Sequence, residues 1–593
     1  MKQRLQKFIP GENTRMVTIA TFIGFAAGVC NIIFRTVVEG VHHLFFEGGI
    51  SFLGIDKGGY YLLLLPLIPM VGMVLLIPFS LKFPGEINGY GFTKFLRKVN
   101  LEGGFIKART IGLKIISTAL TIGTGNSAGV EGPIAQIGGA MGSQVGQFFR
   151  VSGNRMKVYI AAGCAGGIAG MFNAPIAGIF FASEIVLLGS FEISSFAALV
   201  VASAISTVVT RAYFGEVPAF PIPHYHMVNP FVEIPLYVIM AVLVGLIAVV
   251  HIRVFYWIRD RYAALNLHPQ LKPLTGAFII GSMGIFYPQV MGDGYHFIEQ
   301  VLRGEGVLLV MFTLIFLKIF ATAITLGSGG SGGVFAPALF IGAMVGGAFG
   351  AVVNQLLPTM TADPGAYATV GIGAFLAAST HAPMTAIFLL FEMTGNYLII
   401  IPIMLTSIIG VIVAKRFDED SIDTVDFSRE GINIHEGREA AIMKSVRVGK
   451  AITEDVDFIS ERANINHLLE IFRLAKNSFY FPVVDDSGHM VGIISMQDVK
   501  NILHRAEEER VCYLVGAICT RDVMMLTPDD NLYTAMQLFD VKGIEEIPVV
   551  ENLEEKWVIG MLKRRDVIAA YNHEVLKKGI SERAESIRIT CGG

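Results

Sequence analysis

From about Val17 to Lys415 the chain is a succession of apolar runs with few charges, and from Arg416 onward charged residues become dense. Apolar segments fall near residues 16–46, 59–82, 107–122, 134–149, 157–187, 193–212, 230–258, 274–291, 306–326, 336–357, 367–395 and 398–415. Several are shorter than the roughly 20 residues a helix needs to cross hydrocarbon, and many carry an internal Gly or Pro. Short, interrupted apolar helices in matching places of two halves predict a transporter or pore whose site lies near the middle of the membrane. The polar remainder is long enough for a soluble domain with its own core.

The two halves carry the same glycine-rich turn, TIGTGNSAGVEGP at residues 121–133 and TLGSGGSGGVFAP at 325–337. At an offset of 204 they agree at Thr121/Thr325, Gly123/Gly327, Gly125/Gly329, Ser127/Ser331, Gly129/Gly333, Val130/Val334 and Pro133/Pro337. Each copy ends in a Pro that opens an apolar helix, where a missing backbone donor costs nothing. Free N–H groups in such turns converge on one point, and a helix N-terminus carries partial positive charge, so the pair predicts an anion site without a full cation. Glycine turns also serve simply to let helices pack closely; two matched copies in one apolar chain favour the anion site. A second match, Asn173-Ala174-Pro175 with Phe180 and Glu184, recurs as His381-Ala382-Pro383 with Phe388 and Glu392 at an offset of 208. The chain therefore contains an internal duplication of roughly 200 residues.

Composition agrees: 593 residues, 53% hydrophobic and 16% charged, with a mean hydropathy of +0.58, are too apolar for a soluble multidomain protein. Nothing in a net charge of -3 points to nucleic acid. The five cysteines form no C-x-x-C pair and suggest neither a disulfide framework nor a zinc site. The basic start, residues 1–15, precedes an apolar run without a small-residue cleavage pattern, which predicts a cytoplasmic N-terminus and a first membrane helix. No nucleophile and base pair, Walker loop or metal cluster suggests an enzyme.

Beyond Arg416, Phe481-Pro482-Val483-Val484-Asp485, Val491-Gly492-Ile493-Ile494 and Asp498-Val499 recur as Ile547-Pro548-Val549-Val550-Glu551, Ile559-Gly560-Met561-Leu562 and Asp566-Val567. Each unit predicts a helix, two β-branched strands and a second helix. This α/β pattern resembles a pair of CBS motifs, over 445–505 and 515–573 within a domain at 445–578, with a linker at 416–444 and a tail at 579–593. By that resemblance Ser495, Asp498 and Asp566 are the candidate residues for an adenine nucleotide, although Lys563 stands where the second hydroxyl residue is expected. No cofactor is expected to be required, and a module that binds nothing is the alternative.

Gly129-Val130-Glu131-Gly132-Pro133 resembles the G-R/K-E-G-P signature of the CLC chloride channels and transporters, and Gly333-Val334-Phe335-Ala336-Pro337 resembles their G-x-F-x-P signature. Asn173-Ala174-Pro175 and the C-terminal CBS pair match as well. The resemblance covers nearly the whole chain. It implies an α-helical polytopic membrane domain at 16–415, in two inverted repeats near 16–212 and 230–415, and a homodimer in a prokaryotic plasma membrane. Each subunit would carry its own path for chloride and other small anions, with the CBS domain cytoplasmic.

The same resemblance places Glu131 as the gate, a tethered carboxylate that occupies the anion's place when ionised and swings away when protonated. Chloride ligands carried over are Gly129, Glu131, Gly132, Gly333, and the backbone of Val334 and Phe335. Val130 departs from the usual basic residue. Tyr90, in Gly89-Tyr90-Gly91, stands where a serine coordinates the central anion, and Asp423 stands where a tyrosine is usual. Proton-coupled members carry a second, inner glutamate; that position is Ile185, an apolar residue that relays no proton. The sequence expectation is therefore a passive, glutamate-gated chloride channel, with a proton-coupled antiporter and a membrane-tethered nucleotide sensor as alternatives. Glu184 and Glu392 are expected to be structural, accepting bonds from helix N-termini where the repeats meet.

Overall fold

The computed structural model describes residues 12–575 except 152, 190–192, 217–222, 224, 226, 435–436, 455, 475–478 and 504–512. The first eleven residues, Cys512, Cys591 and the tail at 579–593 lie outside the described residues. One unit ends at Ile434 and a second begins at His435.

Setting aside the shortest helical turns, the first half of the membrane unit runs α1 (Glu12–Val41), α2 (Leu67–Lys82), α3 (Phe92–Asn100), α4 (Arg109–Gly123), α5 (Glu131–Phe148), α6 (Asn154–Phe172), α7 (Pro175–Phe181) and α8 (Ile193–Phe214). The second half repeats the order as α9 (Pro230–Ala264), α10 (Leu271–Phe286), α11 (Tyr295–Leu302), α12 (Leu308–Ser328), α13 (Phe335–Leu356), α14 (Pro364–Thr380), α15 (Pro383–Thr394) and α16 (Ile400–Phe417). Among the described residues only seven helices are long and apolar enough to cross a membrane by themselves. Several of the others, such as α3, α7, α11 and α15, are short because the chain breaks beside them. Asn173 and His381 both take the left-handed conformation (φ 58° and 56°), ending α6 and α14, and the prolines two residues later open α7 and α15. The apolar runs 157–187 and 367–395 each hold two helices for that reason.

The halves answer each other across the fold. Glu184 accepts from the backbone N–H groups of Met384 and Thr385 (3.0 and 2.7 Å), which open α15. Glu392 accepts from those of Ile176 and Ala177 (2.9 and 2.8 Å), which open α7. Phe180 stacks on Phe388 with ring centroids 4.5 Å apart and planes 4° from parallel. Such reciprocal contacts, residue i to j and its repeat to the repeat of j, are what an approximate twofold axis produces. Both glutamates act as expected, each satisfying the unpaired donors of the other half's helix start.

Close helix crossings also repeat. A Cβ on Gly138 (α5) would lie 2.2 Å from the Gly163 carbonyl oxygen (α6), and one on Gly342 (α13) would lie 2.6 Å from that of Gly371 (α14). Backbone-to-backbone contact lets α5 and α13 sit inside the protein. Most of α13 is buried.

The segment expected as a linker, 416–444, divides. Residues up to 434 belong to the membrane unit, held to α9 by Arg253 with Asp418 (3.2 Å), Arg259 with Asp426 through two 2.7 Å bonds, and Arg429 with Asp260 (2.8 Å). In the second unit β1 (Ile459–Ser460) lies parallel to β2 (Tyr480–Val484), which pairs antiparallel with β3 (Met490–Ser495). The second repeat pairs β4 (Glu546–Val550) with β5 (Val558–Lys563) antiparallel. Both hairpins shift register at the same place, between Val483 and Val484 and between Val549 and Val550, as a duplicated motif requires.

Candidate functional site

The two glycine turns meet. Gly129 and Gly333 form an isolated antiparallel bridge, each N–H donating to the other's carbonyl (2.8 and 2.7 Å). Side chains would prevent it, since a Cβ on Gly132 would lie 3.1 Å from the Gly333 Cα. Hydroxyls brace the junction: Ser331 Oγ lies 3.0 Å from Ser117 Oγ, the Ser331 N–H donates to Thr121 Oγ1 (3.1 Å), and Ser127 lies 3.3 Å from Thr322. The bridge sets the start of α5 beside the start of α13.

Glu131, the first residue of α5, is fully buried at this junction. Its Oε2 accepts from the Ala336 N–H of α13 (3.1 Å), and its Oε1 accepts from the Tyr295 hydroxyl. The donor is thus one residue beyond Val334 and Phe335, whose side chains are 5% exposed. A carboxylate held by a helix-start amide occupies the place such an amide offers to any anion.

Tyr295 was not among the candidate residues, yet a signal for it exists. It opens α11, the counterpart of α3, and Gly292-Asp293-Gly294 repeats Gly89-Tyr90-Gly91 at an offset of 203. Lys318 holds this loop, its Nζ donating to the carbonyls of Val290 (3.0 Å) and Gly292 (2.9 Å). A cavity of about 120 Å³ lies over the pair, lined by Val130, Tyr295, Asp293, Arg35 and Glu39 among others. Arg35 supplies a positive charge there in the absence of a basic residue at 130, although Glu39 pairs with it at 2.7 Å.

At the equivalent turn of the first half, the Tyr90 hydroxyl donates to Asp423 Oδ1. Two of the residues that depart from the resembled pattern are therefore partners across 333 positions of sequence. Tyr256 donates to the Ile422 carbonyl (2.8 Å), and the Ile422 N–H donates to the Ser379 carbonyl (3.0 Å), so Asp423 sits on a fixed strip of backbone. A run of rings joins the two ends: Tyr90 to Phe92 (6.4 Å), Phe92 to Phe181 (6.0 Å), and Phe181 to Phe335 (6.1 Å). Ile185 is buried at 5% exposure.

In the second unit, Asp498 Oδ2 accepts from both the N–H and the hydroxyl of Ser495 (2.7 Å each), closing the turn between β3 and its helix. Asp566 accepts from Thr453 Oγ1 at 3.4 Å. Lys563 lies 3.9 Å from Glu546, and both side chains are buried.

A family model described as "Voltage gated chloride channel" matches residues 71–415, and one described as "CBS domain" matches 448–505 and 515–573. The chain is 30% identical to the H(+)/Cl(-) exchange transporter ClcA of Vibrio campbellii, over 70% of this chain and 90% of the relative. It is 28% identical to the chloride channel protein CLC-f of Arabidopsis thaliana, over 94% of this chain and 80% of the relative. Among solved structures, a slow cyanobacterial Cl-/H+ antiporter has this fold with a TM-score of 0.64 at 24% identity, covering 70% of this chain and 98% of that one. The expectation of a passive channel is overturned by the exchange transporters and antiporters among these relatives. It rested on Ile185, and one missing carboxylate closes one proton route while leaving others, ordered water among them.

Proposed function

The chain belongs to the voltage gated chloride channel family, and from that premise we propose that it is a proton-coupled chloride antiporter. The observation that carries this reading is Glu131, a buried acid held by an amide of the opposite half and by a phenol. Ionised, it competes with chloride for those donors. Protonated, it loses its hold on them and gives way to the anion, so entry of chloride and uptake of a proton occur at one group. Gly129, Gly132, Gly333, Val334 and Phe335 supply the close backbone around the anion in this scheme. Tyr90 and Asp423 form its other end, where the ionised carboxylate opposes anion entry and the phenol turns toward it.

The proposal extends to a homodimer in the plasma membrane, each subunit with its own path and with the N-terminus and CBS pair cytoplasmic. The Ser495 and Asp498 turn, with Asp566, is the proposed seat of an adenine nucleotide that regulates transport. The test is direct. Purified protein in vesicles given a chloride gradient should drive protons uphill, read by a pH dye in the lumen. Chloride flux with no proton movement would refute exchange.

A further inference from the structure

A cavity of about 180 Å³ lies between α3, α4 and α5, lined by Lys94, Lys98 and Lys114 with Gln136, Thr110 and Glu86 among its other walls. Its lining shares no residue with the Glu131 junction, although Gly91, next to Tyr90, forms one wall. Arg97, on the same helix as two of the lysines, reaches Glu430 (2.5 Å) and lies over the Phe427 ring, toward the Asp423 segment, whereas Lys94, Phe95 and Lys98 of α3 line the cavity.

Its charge is uncompensated. Glu86 is engaged by Arg109, whose Nε donates to it at 3.2 Å alongside a second, shorter bond. Lys94 donates to the Gly85 carbonyl at 3.3 Å, which leaves its charge unbalanced. Lys114 is 4% exposed and its ammonium donates to no acceptor among the described residues. Gln136, also 4% exposed, has an amide nitrogen without a partner. A Cβ on Gly91 would lie 2.6 Å from Lys114 Nζ and 3.2 Å from Gln136 Oε1, so glycine there keeps room for both groups. Burying an ammonium and an amide donor without protein acceptors costs several kcal/mol, and an anion in the shared space would offset that cost for all of these groups at once.

We propose that this cavity is an oxyanion site for a phosphate group, held by Lys94, Lys98, Lys114 and the Gln136 amide. Three ammonium groups suit a multiply charged anion better than a halide, and the space exceeds that of a single halide several-fold. The lysines lie among Arg97, Lys107 and Arg109, a basic concentration that marks the cytoplasmic side. A free phosphate and the phosphate of an anionic lipid headgroup share this chemistry. The inference is independent of the exchange mechanism.

The test uses the full chain in nanodiscs of phosphatidylcholine, in gluconate buffer, titrated calorimetrically with inorganic phosphate. Saturable binding is expected, weakened tenfold or more in Lys98→Gln and again in Lys114→Met. Lys98 is half-exposed, and its variant should keep the wild-type melting temperature and chloride flux. Repeating the titration in nanodiscs containing phosphatidylglycerol separates the sources: phosphate excluded there identifies a lipid headgroup as occupant, and phosphate still bound identifies the free anion. No binding of either, binding unchanged in Lys98→Gln, or binding of chloride in preference to phosphate would overturn the proposal.

Discussion

The membrane unit holds two buried pairs of carboxylate and phenol, Glu131 with Tyr295 and Asp423 with Tyr90, and they differ in how far the acid is free to move. Glu131 reaches its partners on a long side chain from the first residue of a helix, with one oxygen on an amide and one on a hydroxyl. Asp423 has a short side chain on a backbone strip pinned through Ile422 and flanked by three arginine pairs. One is built to be displaced and the other to stay. Their tyrosines come from different places in the matched turns: Tyr90 is the middle residue of Gly89-Tyr90-Gly91, and Tyr295 follows Gly292-Asp293-Gly294 at the position of Phe92.

That contrast breaks most visibly at Glu131. Glu131→Gln keeps the shape and removes the titration, so coupled proton flux should fall at least 100-fold while chloride still passes, measured by simultaneous chloride and pH recording. A buried acid of the second unit, Glu546, sharpens the comparison because its partner is a lysine. Burial raises its carboxyl above the usual range, and the Lys563 charge offsets this. Lys563→Met should destabilise that unit by about 3 kcal/mol at neutral pH. With the folded state then holding its proton more tightly than the unfolded chain, stability should recover as pH falls and be lost as it rises. Hydrogen exchange across residues 546–563 at two pH values reads this out; equal protection in both proteins would sink it.

Smaller effects test the phenols and the fixed acid. Tyr295→Phe removes one hydrogen bond to an acid, typically about 1.5 kcal/mol or more, so chloride turnover should rise roughly tenfold with coupling retained. Slower turnover would mean that the phenol assists release. Asp423→Asn keeps an acceptor for Tyr90 and removes the like charge, so chloride should bind about threefold to tenfold more tightly in a calorimetric titration. Unchanged affinity would place Asp423 outside the field of the anion.

Much of this was legible in the chain. Offsets of 204 and 208 exposed the duplication, and the glycine turns located the junction, because backbone contact demands glycine and leaves a mark that can be read. The structural roles of Glu184 and Glu392 followed from their matched places. Tyr295 was missed because a phenol on a short helix carries no signal until the repeat is extended to Gly292 and Gly294. Hydropathy drew 157–187 and 367–395 as single runs because a left-handed Asn or His between two apolar helices barely changes the average. The membrane unit extends past 416 because charged residues there find ion-pair partners on α9 (Arg253, Arg259 and Asp260), a distant part of the chain.

By itself the sequence determined the membrane class, the twofold internal repeat and the two turns, since these rest on composition and on short local patterns. Only the tertiary structure decided which amide meets Glu131, that Tyr90 and Asp423 are partners, and that three lysines surround one cavity. Those facts depend on groups brought together from separate elements, some more than 200 residues apart, and pairwise geometry of that kind is fixed by packing rather than by local pattern.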